Sequence, residues 1–280
     1  MAAPDFVAMG HVTLDHFGET IRPGGAVLYA AVTAQRLGLS AGILTSHGAD
    51  FPLDLVPPQI EVVTVDAPVT TIFDHRLDGA RRTMRRPVAA RVLMRDHVPE
   101  DWRDAGLVLL APVLDEVDPA VSEMFGNATM AAAAQGWLRA AGPDGEVRSQ
   151  RWEPPRTLLG RLQALFVSDE DVLGQEEQIL KWIERLPVGA VTAGAAGALL
   201  YVNGDRYEVR PRPAREVDPT GAGDVFAAAF IIRYHFEGDP WQAAAAASCA
   251  ASLSVESQGW STVPDRETLA AALDRYRAVD

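Results

Sequence analysis

Short apolar runs alternate along this chain with longer stretches whose apolar residues recur at helical spacing. That alternation constrains the fold more than any other feature, and it marks an α/β architecture. Residues 6–9, 41–45, 60–65, 107–111, 129–133, 165–167 and 190–193 read as buried strands. Residues 26–37 read as a helix closed by Gly38. Over 175–186, Ile179, Trp182, Ile183 and Leu186 fall at i, i+3, i+4 and i+7, one face of a helix. Further helices are expected over 224–236, 240–256 and 265–277. Asn203-Gly204 is a two-residue turn signal between strands at 198–202 and 205–210.

Two regions break the pattern. Residues 12–22 and 69–95 alternate in polarity but carry too few apolar residues to fill a core. The second contains Asp78-Gly79, a hairpin signal, and then an arginine-rich stretch from Ala80 to Arg91. They read either as a small, partly exposed sheet or as a pair of long surface hairpins.

Composition removes whole classes of function. The chain has 280 residues and a formal charge of −13, so a polyanion is repelled on average and no nucleic-acid partner is expected. Lys181 is the only lysine, and no GK[ST] occurs, which excludes a P-loop. A lone Cys249 excludes intramolecular disulfides and cysteine-cluster zinc sites, and fits a reducing, cytoplasmic setting. The histidines show neither HExxH nor HxH spacing, and there is no GxSxG. The first ten residues lack a signal-peptide pattern. The alanine-rich stretch 243–251 is too short to span a bilayer, so no membrane partner is expected.

The string Asp218-Pro219-Thr220-Gly221-Ala222-Gly223-Asp224, followed by Val225-Phe226-Ala227-Ala228-Ala229-Phe230, carries the chemistry. Its glycines let several N–H groups converge at the positive end of an apolar helix. Such a hole suits the charge on a phosphoryl group in transfer. Asp224 at the helix start is placed to take a proton from an attacking hydroxyl. The plainer alternative is an ordinary N-cap built on Thr220 or Asp224. GAGDVF fails as a dinucleotide fingerprint, because Phe226 stands where GxGxxG needs its third glycine.

This string resembles the second signature of the PfkB (ribokinase-like) carbohydrate kinase family, and other segments follow in the family's order. Gly24-Gly25, with the helix and Gly38 behind them, resemble the first signature, whose glycines approach the substrate. Asp15 resembles the carboxylate that binds sugar hydroxyls. Residues 191–198, with Thr192, Gly194 and Gly197, look like the nucleotide-side strand and turn. Residues 247–259 resemble the closing helix that flanks the adenine, with Ser248 where many members have asparagine; a serine bonding back to the preceding turn is the alternative. The resemblance implies an α/β fold, a ribokinase-like three-layer α/β/α unit over 1–280. It has a mostly parallel central sheet and a small β-sheet lid from about 12–22 and 69–95.

Implied with it is transfer of the γ-phosphate of ATP to a hydroxyl of a small sugar or polyol, with Asp224 as base. The amides of Gly221, Ala222 and Gly223 would hold the phosphoryl group. ATP and Mg²⁺ are the implied cofactors, with a monovalent cation allowed, and a homodimer through the lid is compatible. A nucleoside kinase of the same family and a non-catalytic sugar- or nucleotide-binding regulator are the rival readings.

Two departures matter. Where the family commonly has NxxE, this chain has Ser168 and Asp171. Ser168 is expected on the nucleotide side, and Asp171 is expected to hold magnesium through water; an acidic helix start is the alternative. Tyr29 replaces an asparagine common after the double glycine, which argues against ribose. Gln135-Gly136-Trp137-Leu138-Arg139 follows a buried strand and is similar to stretches in inositol kinase-like members. Arg139 is expected at the substrate, as a clamp on a phosphate or hydroxyl, with a surface arginine as the alternative.

Overall fold

A computed structural model describes residues 2–78 and 81–278. The first strands are β1 (Phe6–Met9), β2 (Thr13–Phe17), β3 (Thr20–Gly24), β4 (Ala41–His47) and β5 (Ile60–Asp66). Then come β6 (Thr71–Asp78), β7 (Arg81–Arg85), β8 (Leu107–Leu110), β9 (Thr129–Ala133), β10 (Arg139–Ala141) and β11 (Val147–Ser149). The last are β12 (Leu162–Ser168), β13 (Val188–Thr192), β14 (Ala198–Val202) and β15 (Asp205–Val209). The helices are α1 (Ala26–Arg36), α2 (Arg156–Leu159), α3 (Asp169–Val172), α4 (Glu176–Ile183), α5 (Ala222–Glu237), α6 (Pro240–Ser254) and α7 (Arg266–Arg277). No helix among the described residues is long and apolar enough to cross a membrane.

Nine strands form one sheet in the order β15-β14-β13-β12-β9-β8-β1-β4-β5. It is parallel from β13 to β5, and β14 runs antiparallel to both its neighbours. The central strands are apolar throughout because both faces are covered. Alternate residues feed two cores: Phe6, Ala8, Leu107, Leu109, Ala164 and Phe166 pack with α1, α5, α6 and α7. Val7, Met9, Val108, Leu110, Leu165 and Val167 pack on the other face with Trp102, Trp137 and Trp182. The result is an α/β/α sandwich.

Successive strands leave β1 in opposite directions: β4 and β5 lie to one side, β8 and β9 to the other. The loops after β1 and β8 therefore part, and a crevice opens at their carboxyl ends. Gly10 holds this point tight, since a Cβ there would lie 2.2 Å from the Ala111 carbonyl oxygen. Glu116 fixes the loop after β8 by accepting from the N–H groups of His11 (3.0 Å), Val113 (2.8 Å) and Leu114 (2.6 Å).

Residues 12–22 and 69–95 supply a four-stranded sheet in the order β3-β2-β6-β7, with β2 and β6 parallel. Gly79 and Ala80, the expected turn and strand start, lie outside the described residues. The arginine-rich strand, expected to reach Arg91, stops at Arg85. Pro87 has no N–H to offer a ladder, and the Arg86 N–H goes instead to Gly145 of the β10–β11 hairpin (2.8 Å). That hairpin turns at Pro143-Asp144-Gly145, a turn signal, but its strands have three residues each and no apolar alternation, so a reading by periodicity passes over it. Trp152 beyond it stacks on Trp137 (4.6 Å between centroids).

The helices begin where their caps dictate. Asp239 accepts from the N–H groups of Trp241 and Gln242, with Pro240 at the first position, and Asp265 accepts from Thr268. The helix expected over 175–186 ends at Ile183; Leu186 is still buried, but Pro187 follows it. Gly10→Ala should strain the crevice and cost about 1–3 kcal/mol. Scanning calorimetry should then show a lower melting midpoint; an unchanged one would mean that the ends of β1 and β8 yield freely.

Candidate active site

The carboxyl ends of the parallel strands form one rim. Ser168 pairs in register with Thr192 there, and Ala133 with Phe166. Asp224, the third residue of α5, feels the charges of Arg139 and Asp171, which follow β9 and β12. The amino end of α5 therefore lies at this rim, and α5 packs along β8, β9 and β12.

Gly221 caps α5 in a left-handed conformation (φ 77°). The Tyr29 ring lies on it so closely that a Cβ would meet ring carbons at 2.3 Å. Glycine is needed there for both reasons. Val225 donates its N–H to Gly221 O (2.9 Å), and Ala222 donates to Pro219 O (3.2 Å). The Ala222 amide, expected at the phosphoryl group, is thus already used. Gly223 and Asp224 have N–H groups in the first turn, where helical carbonyls do not reach.

Burial pushes the Asp224 carboxyl up to about 7. Arg139 pulls it down and Asp171 pushes it up, and desolvation outweighs both. Asp218 shows the reverse. Burial works against its charge, but hydrogen bonds from Thr220 and the Gly259 amide, with Arg22 nearby, hold it below the ordinary carboxylate value. The Tyr29 phenol is pushed up by burial and by Asp218, Asp224 and Asp15. Three carboxylates therefore surround one buried ring.

On the side of the small sheet, Asp15 is buried and accepts from Thr13 Oγ1 (3.0 Å). Gly24 lets that carboxylate approach the backbone, since a Cβ would stand 2.3 Å from Asp15 Oδ2. Gly25 caps α1. Arg22, which the motifs do not single out, reaches from β3 across the crevice. It lies 3.8 Å from Asp218, 4.8 Å above the Phe17 ring and within hydrogen-bond reach of the Gln258 amide oxygen. Only its place opposite Asp15 in the β2–β3 hairpin could have flagged it.

On the other side, Gly194 and Gly197 form a tight turn closed by the Ala193 N–H on Gly197 O (2.8 Å). Beyond it runs a groove of about 770 Å³ lined by Ala193, Ala196, Leu199, Val209, Arg210 and Tyr276. Arg210 stacks on Tyr276 (4.1 Å), a pairing of distant residues that no local pattern announces. The Ser248 hydroxyl donates to Arg210 O (3.0 Å), bonding back to the chain at the groove's wall. Thr192 Oγ1 is 3.4 Å from Val167 O.

Arg139 and Asp171 depart from expectation. Arg139 is held by Asp171 rather than standing among the acceptor residues: its Nε (3.1 Å) and Nη2 (2.8 Å) both donate to Asp171 Oδ1. Ser168 Oγ (2.6 Å) and the Ser168 N–H (3.4 Å) donate to Oδ2. A carboxylate has about four acceptor sites, and all four are taken. Asp171 does not fit a magnesium shell in this arrangement. No group of three or more His, Cys, Asp or Glu among the described residues could hold a metal.

A parallel sheet with a small sheet over its strand ends, and a glycine-capped buried helix aimed at the crevice, define a ribokinase fold. The chain superimposes on a pyrophosphate-dependent kinase in the ribokinase family, complexed with a pyrophosphate analog and myo-inositol. The TM-score is 0.79 at 21% identity, covering 95% of this chain and 99% of that one. Residues 157–266 match the model of the pfkB family carbohydrate kinases. The cytidine kinase of Thermococcus kodakarensis is 26% identical over 253 residues, covering 82% of this chain and 88% of that enzyme. The inositol 3-kinase of Arabidopsis thaliana is 27% identical over 222 residues, covering 75% of this chain and 60% of the plant enzyme. Over residues 157–266 the chain thus carries a domain of the pfkB carbohydrate kinase type, and its relatives by sequence are kinases of sugars, inositol and nucleosides.

A carboxyl raised in the folded state binds a proton that the unfolded chain has already lost, so its charge destabilises the fold increasingly between pH 4 and 7. Asp224→Asn should therefore melt higher than wild type at pH 8, with the gap closing as pH falls toward 4. Equal melting at pH 8 would show that Asp224 is not desolvated.

Proposed function

We propose that this chain is an ATP-dependent kinase that phosphorylates a hydroxyl of a small sugar or polyol. The observation that carries this reading is a carboxylate raised to about 7 in the first turn of a glycine-capped buried helix. A base needs a pKa near the working pH. The hydroxyl oxygen attacks the γ-phosphorus, its proton passes to Asp224, and the bond from that phosphorus to the bridging oxygen of ADP breaks. The amides of Gly223 and Asp224 offset charge on the transferring group.

Asp15, with Gly24 beside it, offers a bidentate acceptor for neighbouring hydroxyls. Tyr29, the aromatic that a nucleoside acceptor would call for, has its ring spent on Gly221, and Trp260 meets it edge-on (6.1 Å). That favours a polyol over a nucleoside. The groove beyond Gly194 and Gly197 gives the nucleoside of ATP a place that pyrophosphate would leave empty. Magnesium would travel on the donor's own phosphates, as is common for this ion. The sheet β3-β2-β6-β7 acts as the lid of a single catalytic unit and excludes water from the reaction. Its outer face, where Ile21 is exposed, is the surface offered to a second copy, and the cytoplasm is the setting.

Two measurements test this. In a panel of pentoses, hexoses, inositols and nucleosides, with ATP and pyrophosphate as donors, a sugar or cyclitol with ATP should give the highest kcat/KM. A nucleoside leading the panel would replace the acceptor assignment, and binding without any turnover would favour a regulator. Asp224→Asn should lower kcat by about 10²–10⁴-fold with nucleotide binding retained. Because the base must be ionised, wild-type kcat/KM should climb with pH to a plateau above about 7.

A further inference from the structure

Arg139 leaves β9, and Asp171 follows β12, the next strand in the sheet. Arg139 thus leans across the rim away from β1 and from the β2–β3 hairpin that follows it, which carries Asp15 and Gly24. It leans toward β13 and the turn at Gly194 and Gly197. Asp224 lies between the two sides, within reach of the Arg139 charge. The Asp171 side chain is 2% exposed and that of Arg139 is 22% exposed, so the carboxylate is sealed while the guanidinium still meets the crevice. Two of the five guanidinium N–H groups go to Asp171, and among the described residues nothing accepts from Nη1. A fixed, partly desolvated guanidinium with spare donors is a phosphate ligand.

We propose that Asp171 is a positioning residue for Arg139 rather than a magnesium-shell residue, and that Arg139 so held binds the phosphates of the phosphoryl donor. The inference rests on the kinase reading for the donor's identity, but the anion site follows from the geometry alone. Ser168 completes it: its hydroxyl and N–H occupy the carboxylate oxygen that Arg139 leaves. Asp171 therefore cannot turn away without stranding two donors.

The test is calorimetric titration of inorganic tripolyphosphate onto wild type, Arg139→Gln, Asp171→Asn and the double variant, in EDTA and again with Mg²⁺. Kinetics of each with ATP and the best acceptor run alongside. Wild type should bind tripolyphosphate in EDTA. Arg139→Gln should weaken that binding on the order of 10- to 100-fold, the range for charge-assisted hydrogen bonds. Asp171→Asn, which keeps the contact with Ser168, should weaken it about tenfold, and the double variant no further than Arg139→Gln. The Mg²⁺ concentration for half-maximal rate should not move in Asp171→Asn.

Arg139→Lys, which keeps charge without the fork, should fall between wild type and Arg139→Gln, and covers the case in which glutamine impairs folding. The proposal is overturned if wild type needs magnesium to bind tripolyphosphate. It is also overturned if Arg139→Gln binds normally, or if Asp171→Asn raises the magnesium requirement and leaves binding in EDTA intact. A wild type that binds through Arg139 but phosphorylates nothing removes the kinase reading and leaves this site standing.

Discussion

Val225 to Ile232 are buried without a break, so beyond its partly exposed first turn α5 shows no solvent face through these residues and is gripped by α1, α6 and the sheet. A helix held that way cannot shift to suit a ligand. Its amino end is the fixed point against which the other groups are set. Tyr29 reaches it from α1 through contact with Gly221, Asp218 is tied to it through Thr220, and Arg139 and Asp171 approach from the strand ends. A tightly held stretch of helix thus lies directly behind Asp224, where a small displacement would matter most for the proposed chemistry.

The charges around that point are arranged by unequal pairing. Asp171 has every acceptor site filled, and Asp218 has Thr220, Gly259 and Arg22. Asp224 accepts no side-chain hydrogen bond from the described residues, and desolvation pushes it toward neutrality, whereas Asp218 is held ionised. Buried carboxylates are tolerable when hydrogen-bonded and costly when not. Two acids tied into hydrogen bonds therefore stand beside one that is left without such ties.

What the sequence disclosed follows physical range. Periodicity located the strands of the large sheet, because burial on both faces leaves continuous apolar runs. Asn203-Gly204 placed the β14–β15 turn between strands at Ala198–Val202 and Asp205–Val209, because that turn is local chemistry. DPTGAGD marked the head of α5 for the same reason. The Arg139–Asp171 pair joins residues 32 apart in sequence and leaves no spacing signature; each residue alone suggested a ligand. The β10–β11 hairpin carries a turn signal at Pro143-Asp144-Gly145 that a reading by periodicity passes over, because the strands on either side bury little and show no alternation. Tyr29 could be seen as a departure, but its contact with Gly221 depends on how α1 meets α5.

The β10–β11 hairpin also alters the small sheet's relation to other molecules. Gly145 takes the Arg86 N–H, and Glu146 forms a bridge to Arg85, so the Arg85 end of the β7 border of that sheet is covered. At the opposite border β3 has no further strand beyond it among the described residues. A sheet with both borders open can be extended indefinitely, each added copy offering a fresh border to the next. With the β7 border partly covered, β3 is the freer route for pairing, and two copies joined β3 to β3 have spent that border on each other.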